Sequence, residues 1–211
     1  VRQRIAAACG ECGRDPKEIT LVGASKMNDA AACREAIAAG IDVLGENRVQ
    51  ELAAHLAADA YAGAEQVHFI GHLQTNKVKQ VVGKAALIQS VGSLPLLEAI
   101  EKEAEKQGII QDILLEVNIG REESKSGIMI EALPELLEEA AQLPGLQIKG
   151  LMCIPPICET ETQVRKYFET MHQSFIDIKD KKHHNIDMDI LSMGMSGDFE
   201  AAIAEGSTLV R

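Results

Sequence analysis

The sequence predicts a (β/α)₈ barrel, an α/β fold, and three observations predict it. Short apolar runs alternate with helix-like segments along the whole chain. Eight such runs can be counted. The 46% apolar content with only 3% aromatics supplies Ala, Val, Ile and Leu, the residues from which parallel strands wrapped by helices are built. Strict alternation argues for a parallel sheet and the count of eight for closure. An open doubly wound sheet is the alternative. No Pro/Gly/Ser-rich linker interrupts the 211 residues, so one domain spanning 1–211 is expected.

An N-terminal helix precedes the first strand at 19–24, which follows Asp15-Pro16. Asn28 or Asp29 can cap the Ala-rich helix that stops near Gly40. The second strand is read at 41–44 and its helix at 48–60. The third strand is read at 67–70 with a helix at 75–82, and the fourth at 85–89. Residues 94–107 form an amphipathic helix, with Leu96, Leu97 and Ile100 on its apolar face. Strands at 113–118, 147–152, 189–193 and 207–210 follow, with helices at 132–143, 161–181 and 198–205 between them. The basic cluster at 179–184 reads as a solvated helix end. The last strand candidate runs directly to Arg211, where a closed barrel normally continues into a helix, so further residues are expected there; Val1 in place of Met raises the same expectation at the start.

The formal charge of -11 disfavours nucleic acid as a partner, because an acidic surface repels a phosphate backbone. No apolar run approaches the roughly 20 residues that span a bilayer, so no membrane partner is expected. Cys9, Cys12, Cys33, Cys153 and Cys158 are an odd number without a signal peptide, which predicts reduced, structural thiols in a cytoplasmic protein.

Working residues in such a barrel sit where strands end and loops begin. Strand one ends in Ala24-Ser25-Lys26, placing an amine at the barrel mouth, where desolvation favours its nucleophilic form toward aldehydes. A solvated surface lysine is the alternative. After strand two, Asn47 is either a ligand contact or a helix cap. His68 and His72 are four apart, but Gly71 breaks the helix that a metal pair at this spacing needs, and no metal is expected. Cys9 and Cys12 lack a second ligand pair. The loop through Ser124-Lys125-Ser126-Gly127 is long and polar. Ser192 to Asp198 closes strand seven and opens a helix, with Gly206-Ser207-Thr208 after it. Glycines, hydroxyls and a helix N-terminus together suggest a phosphate cradle, with N-capping by Ser196 as the ordinary alternative. A phosphate-bearing aldehyde satisfies both this cradle and the lysine.

These motifs resemble those of a known family. They are Leu21-Val22-Gly23-Ala24-Ser25-Lys26, Gly45-Glu46-Asn47-Arg48-Val49-Gln50-Glu51, His68-Phe69-Ile70-Gly71 with Leu73-Gln74-Thr75-Asn76-Lys77, and Val117-Asn118-Ile119 with Lys125-Ser126-Gly127. Gly150-Leu151-Met152, Leu191 to Ser196 and Gly206 to Arg211 complete the order. Over nearly the whole chain they resemble the pyridoxal phosphate homeostasis protein family, whose barrel is of the alanine racemase (fold type III) kind. The resemblance implies that pyridoxal 5'-phosphate is held as an aldimine on Lys26. It implies that Ser196, Gly206, Ser207 and Thr208 bind its phosphate and that Arg211 faces its pyridine nitrogen. Asn47 and His68 are implied to line the site. It further implies a role in vitamin B6 and amino-acid homeostasis; apo pyridoxal phosphate enzymes are the expected recipients, and a monomer is expected. The family continues beyond the Val-Arg pair, into a glycine-rich strand end and a final helix.

An arginine opposite the ring nitrogen disfavours its protonation and weakens the electron sink, which favours a carrier over a catalyst. Alanine racemases share that arginine but add a tyrosine from a second domain. The two tyrosines here, Tyr61 and Tyr167, are read in helices away from strand ends, so no catalytic residue is assigned. A weak amino-acid racemase, or a barrel binding another phosphate ester without covalent chemistry, are the competing readings.

Overall fold

The structure is a computed structural model that describes residues 1–181 and 184–211. Eight parallel strands form a closed barrel in sequence order. They are β1 (Thr20–Ala24), β2 (Val43–Glu46), β3 (Gln66–Phe69), β4 (Leu87–Val91), β5 (Gln111–Val117), β6 (Leu146–Cys153), β7 (Ile186–Ser192) and β8 (Leu209–Val210). β8 pairs with β1 through Thr20 opposite Leu209 and Leu21 opposite Val210, which closes the sheet. The helices are α1 (Arg2–Cys12), α2 (Ala30–Ala38), α3 (Val49–Ala57), α4 (Leu94–Gln107), α5 (Leu133–Ala140), α6 (Glu161–Lys179) and α7 (Phe199–Ala204). Among the described residues, no helix is long and apolar enough to cross a membrane.

Local chemistry sets the helix ends. Asp29 caps α2 by accepting from the Ala32 N–H at 2.9 Å. Thr160 and Gln163 form a reciprocal capping box on α6. Gly13 and Gly108 end α1 and α4 in the left-handed conformation. Residues 75–82, read as a helix, form a six-residue 3₁₀ segment instead, Thr75–Gln80. The basic cluster at 179–184 includes Lys182 and His183, which lie outside the described residues.

Alternation along each strand divides the side chains between two layers. Outward residues such as Val67, Phe69, Ile88 and Ile113 pack against the helices in one large core. Inward residues fill the barrel: Val22, Val43 and Leu209 on one side, Leu87, Leu114 and Met152 on the other, with Ile190 touching both groups. The ladder shifts register between Ile148 and Gly150. A Cβ at Gly150 would lie 1.8 Å from the Ile190 carbonyl oxygen, so only glycine permits this close approach. α1 packs on α7 through Ile5, Ala8, Cys9, Phe199 and Ile203. Arg4 covers the Phe199 ring at 4.6 Å from its centroid and pairs with Glu200 at 2.7 Å.

Candidate functional site

The strands place two sets of polar residues at opposite faces of the barrel. At the C-terminal face, β1 delivers Ser25 and Lys26 into the loop before α2. Ser25 is buried, while Lys26 and Met27 are exposed. Met27 takes φ 61, a conformation that non-glycine residues adopt at a cost, and the Asn28 N–H closes the turn on the Ser25 carbonyl at 3.0 Å. Lys26 thus stands on a tight, strained turn rather than a floppy loop.

Asn47 follows β2 and is half-buried. It does not cap α3, whose N-cap residue is Arg48 with no side-chain cap bond. A Cβ on Gly71 would lie 2.0 Å from the Asn47 carbonyl oxygen, so glycine there lets the two loops touch. Ser196 is exposed in the turn after β7 and does not cap α7, whose N-cap residue is Asp198.

Arg211 follows β8. Its backbone N–H donates to the Gly194 carbonyl at 3.0 Å. Its Nη2 donates to the Cys153 carbonyl at 2.9 Å. Burial pushes the Cys153 thiol up to about 12, so it stays a neutral thiol as the sequence suggests.

Sequence reasoning missed Glu116, the inward residue one place before the end of β5. Its Oε1 accepts from the Ser126 hydroxyl at 2.9 Å. Burial raises its pKa, with Ser126, His72 and Arg211 opposing. Glu116, His72 and Ser126 are shared by two adjoining clefts of about 700 and 550 Å³ beside the mouth. The period-two pattern of β5 carried the signal, since it puts Glu116 on the inward face with Asp112 and Leu114 while Ile113, Leu115 and Val117 face the helices.

The hydrogen-bond inventory marks this face. Among the described residues, seven buried side-chain polar atoms lack a hydrogen-bond partner, and Asn47 Oδ1, Glu116 Oε2 and Arg211 Nε are three of them. Folded proteins rarely leave such groups unpaired without a ligand or ion to take them. An acceptor, a carboxylate and a guanidinium N–H around a lysine-bearing mouth fit a polar aromatic aldehyde. The Nε–H is a donor, and an unprotonated pyridine nitrogen is an acceptor.

Four of the expected site residues do not join this mouth. Gly206, Ser207 and Thr208 precede β8 and therefore lie at the N-terminal face. Chain order in a parallel barrel already required this. Ser207 is fully buried, and its hydroxyl lies within 3.2 Å of the Leu191, Met193 and Leu209 carbonyls. The Thr208 hydroxyl accepts from the Leu191 N–H at 2.9 Å. A Cβ on Gly206 would meet the His172 ring at 2.8 Å. Their chemistry is spent inside the fold, and of the expected phosphate ligands Ser196 alone stays at the mouth.

His68 is the fourth. It points into the barrel and borders a cleft of about 620 Å³ at the N-terminal face. The Gln89 amide donates to Nδ1 at 3.0 Å, which leaves the proton on Nε2 for Gln66 Oε1 at 3.0 Å. Gln89 Oε1 in turn accepts from the Ser192 hydroxyl at 2.6 Å. Burial lowers the imidazole pKa to about 4, so it is neutral.

Tyr61 also differs from its sequence reading. It lies in the turn after α3, not in a helix, and its hydroxyl donates to Glu46 Oε1 at 2.7 Å.

Known proteins share this architecture. Residues 20–211 match the family described as alanine racemase, N-terminal domain. A pyridoxal phosphate homeostasis protein of Aquifex aeolicus (strain VF5) is 44% identical over 211 residues, covering all of this chain and 91% of the relative. Its counterpart in Escherichia coli (strain K12) is 39% identical, over all of this chain and 90% of the relative. PipY of Synechococcus elongatus PCC7942, solved with PLP bound, superposes with a TM-score of 0.85 at 32% identity, covering all of this chain and 96% of PipY. A chain that shares this barrel and this full-length identity belongs to the pyridoxal phosphate homeostasis protein family, built on the alanine racemase N-terminal domain.

Proposed function

We propose that this chain holds pyridoxal 5'-phosphate at the C-terminal mouth of the barrel through the Lys26 amine, and serves vitamin B6 homeostasis by carrying the cofactor rather than by turning over amino acids. When bound, the cofactor supplies an aldehyde that condenses reversibly with amines and a ring that withdraws electrons. Lys26 offers the attachment point on its strained turn. Asn47 would accept a hydrogen bond at the rim. Ser196 would donate one to the phosphate. Arg211 would turn its unpaired Nε–H toward the ring nitrogen. The unpaired Nε–H of Arg211 is the observation that carries the cofactor reading. A buried guanidinium N–H without an acceptor is best satisfied by an unprotonated ring nitrogen, and a cation there opposes protonation.

Two further features support it. Lys26 is exposed, so an incoming amine can reach the same nitrogen from solvent, which suits loading and release. The Tyr61 hydroxyl is committed to Glu46, and burial and that carboxylate raise its pKa, so it is no base for a second proton transfer. In this reading one cytoplasmic, monomeric domain hands its cofactor to apo enzymes that need it.

Borohydride reduction of the loaded protein followed by peptide mass mapping is the test. A pyridoxyl group on the Lys26 peptide, lost with its absorption band in Lys26→Ala, is the expected outcome; an unlabelled Lys26 would falsify the assignment. Incubation with L-amino acids in deuterated water then separates the roles. Transfer of cofactor to an apo enzyme without sustained exchange at Cα is expected, and steady exchange would make the protein a catalyst.

A further inference from the structure

The lysine turn is fastened from beneath by one carboxylate. Glu46, the last residue of β2, points outward from the barrel and is fully buried. Its Oε1 accepts from the Ser25 hydroxyl at 2.6 Å and from Tyr61 at 2.7 Å, and it meets His55 Nδ1 at 2.7 Å. The other ring nitrogen, His55 Nε2, meets the Asn28 carbonyl at 3.0 Å. Ser25 immediately precedes Lys26, and Asn28 lies two residues after it. Both sides of the turn therefore converge on one Glu46–His55 pair.

Counting protons fixes the state of that pair. Each imidazole nitrogen faces an acceptor, the carboxylate on one side and a backbone carbonyl on the other. A neutral imidazole carries one N–H and can satisfy only one of them. The imidazolium satisfies both, and its charge matches the carboxylate. His55 also sits in the last turn of α3, where the helix dipole favours a cation. The charged and titratable groups around it are Glu46 on β2, Glu51 on its own helix and Tyr61 in the following turn, with Cys33, Asp29 and Arg34 behind them on or beside α2. Burial alone pulls the imidazole down. The hydrogen bond and charge of Glu46, the Asn28 carbonyl and the charge of Glu51 outweigh it, so the net shift is upward.

We propose that Glu46 and His55 act as a positioning pair for Lys26, with the carboxylate holding Ser25 and the imidazolium holding Asn28, so that loss of the His55 proton loosens the lysine turn on its far side. The inference rests on the reading of Lys26 as the attachment point, but the pair can be examined without the cofactor. Because the folded imidazole binds its proton more tightly than a free one, the grip is complete below the ordinary histidine range. It is lost as pH rises through the raised value.

The test uses the full chain. Imidazole ¹⁵N–¹H correlation spectra of the cofactor-free protein should show both His55 nitrogens protonated at and above the ordinary histidine range. Amide exchange at residues 26–29 should quicken as that proton leaves. Pyridoxal 5'-phosphate labelling of Lys26, trapped with borohydride across a pH series, should run about tenfold faster in the wild type than in His55→Gln below the transition, and equally above it. A singly protonated His55 throughout, or a rate ratio that does not vary with pH, overturns the proposal. Absence of any Lys26 label in either protein sinks the attachment reading instead, while the spectra still decide the pair. If His55→Gln fails to fold, the wild-type titration and exchange decide it alone.

Discussion

The two faces of this barrel hold clefts of similar size and contain the same kinds of residue, yet they keep their hydrogen bonds differently. At the N-terminal face a cleft of about 620 Å³ is bordered by His68 and Gln66, and both are paired. Ser207 and Thr208 are tied to strand backbone, and Arg14 spans the Ile203 and Ser207 carbonyls at 2.8 and 2.7 Å. At the C-terminal face the clefts reach about 700 Å³. Of the seven buried atoms without a hydrogen bond among the described residues, Asn47 Oδ1, Glu116 Oε2 and Arg211 Nε lie at strand ends on this face; Glu46 Oε2 points outward beneath the lysine turn, Glu51 Oε2 is on α3, Glu122 Oε2 is paired with the Lys125 ammonium, and Asn185 lies elsewhere. Volume does not distinguish the faces. The polar groups do, because those at one face are used up in holding the fold and those at the other are left for a ligand.

The sharpest way to break that comparison is acid. His68 is held neutral inside the barrel with a pKa near 4, below the ordinary 6.5. Its folded value is depressed, so its contribution is whole above 6.5 and disappears as pH falls through 4, at a cost of about 3 kcal/mol. Urea unfolding across this range should show the loss, and His68→Gln should flatten it. A wild-type stability that ignores acidification would place His68 in contact with water. His55 runs the opposite way, gaining on acidification, so the two histidines report on the two faces separately.

A smaller effect is expected at Ser207. Replacing it by alanine should cost about 1–2 kcal/mol of stability, read as a lower unfolding midpoint, with cofactor bound per folded molecule unchanged. Weakened cofactor binding at unaltered stability would return this residue to the phosphate site. The smallest change in stability belongs to Asn47. Its Oδ1 has no partner to lose, so Asn47→Ala should stay within about 0.5 kcal/mol of wild type while weakening pyridoxal 5'-phosphate binding about tenfold by titration. The reverse pattern, lower stability with full affinity, would make Asn47 a structural residue.

Much of the fold is legible in the chain because alternation of apolar runs and capped helices is a local property. The eight strands, the Asp29 cap and the exit of Lys26 from the first strand all follow from neighbours in sequence. The misread residues were those whose environment is set by distant partners. Ser207 is the exception, since its place just before the last strand already assigns it to the far face. His68 resembles a site residue until Gln89 occupies its ring nitrogen, and Tyr61 resembles a helix residue until Glu46 takes its hydroxyl.

By itself, then, the sequence determined the barrel, the order of its strands and the lysine at its mouth, since backbone periodicity and capping act over a few residues. Only the tertiary structure decided which polar groups remain free. That depends on strand direction, on the inward or outward turn of each side chain, and on hydrogen bonds such as Ser192 to Gln89, made between residues 103 apart in the chain.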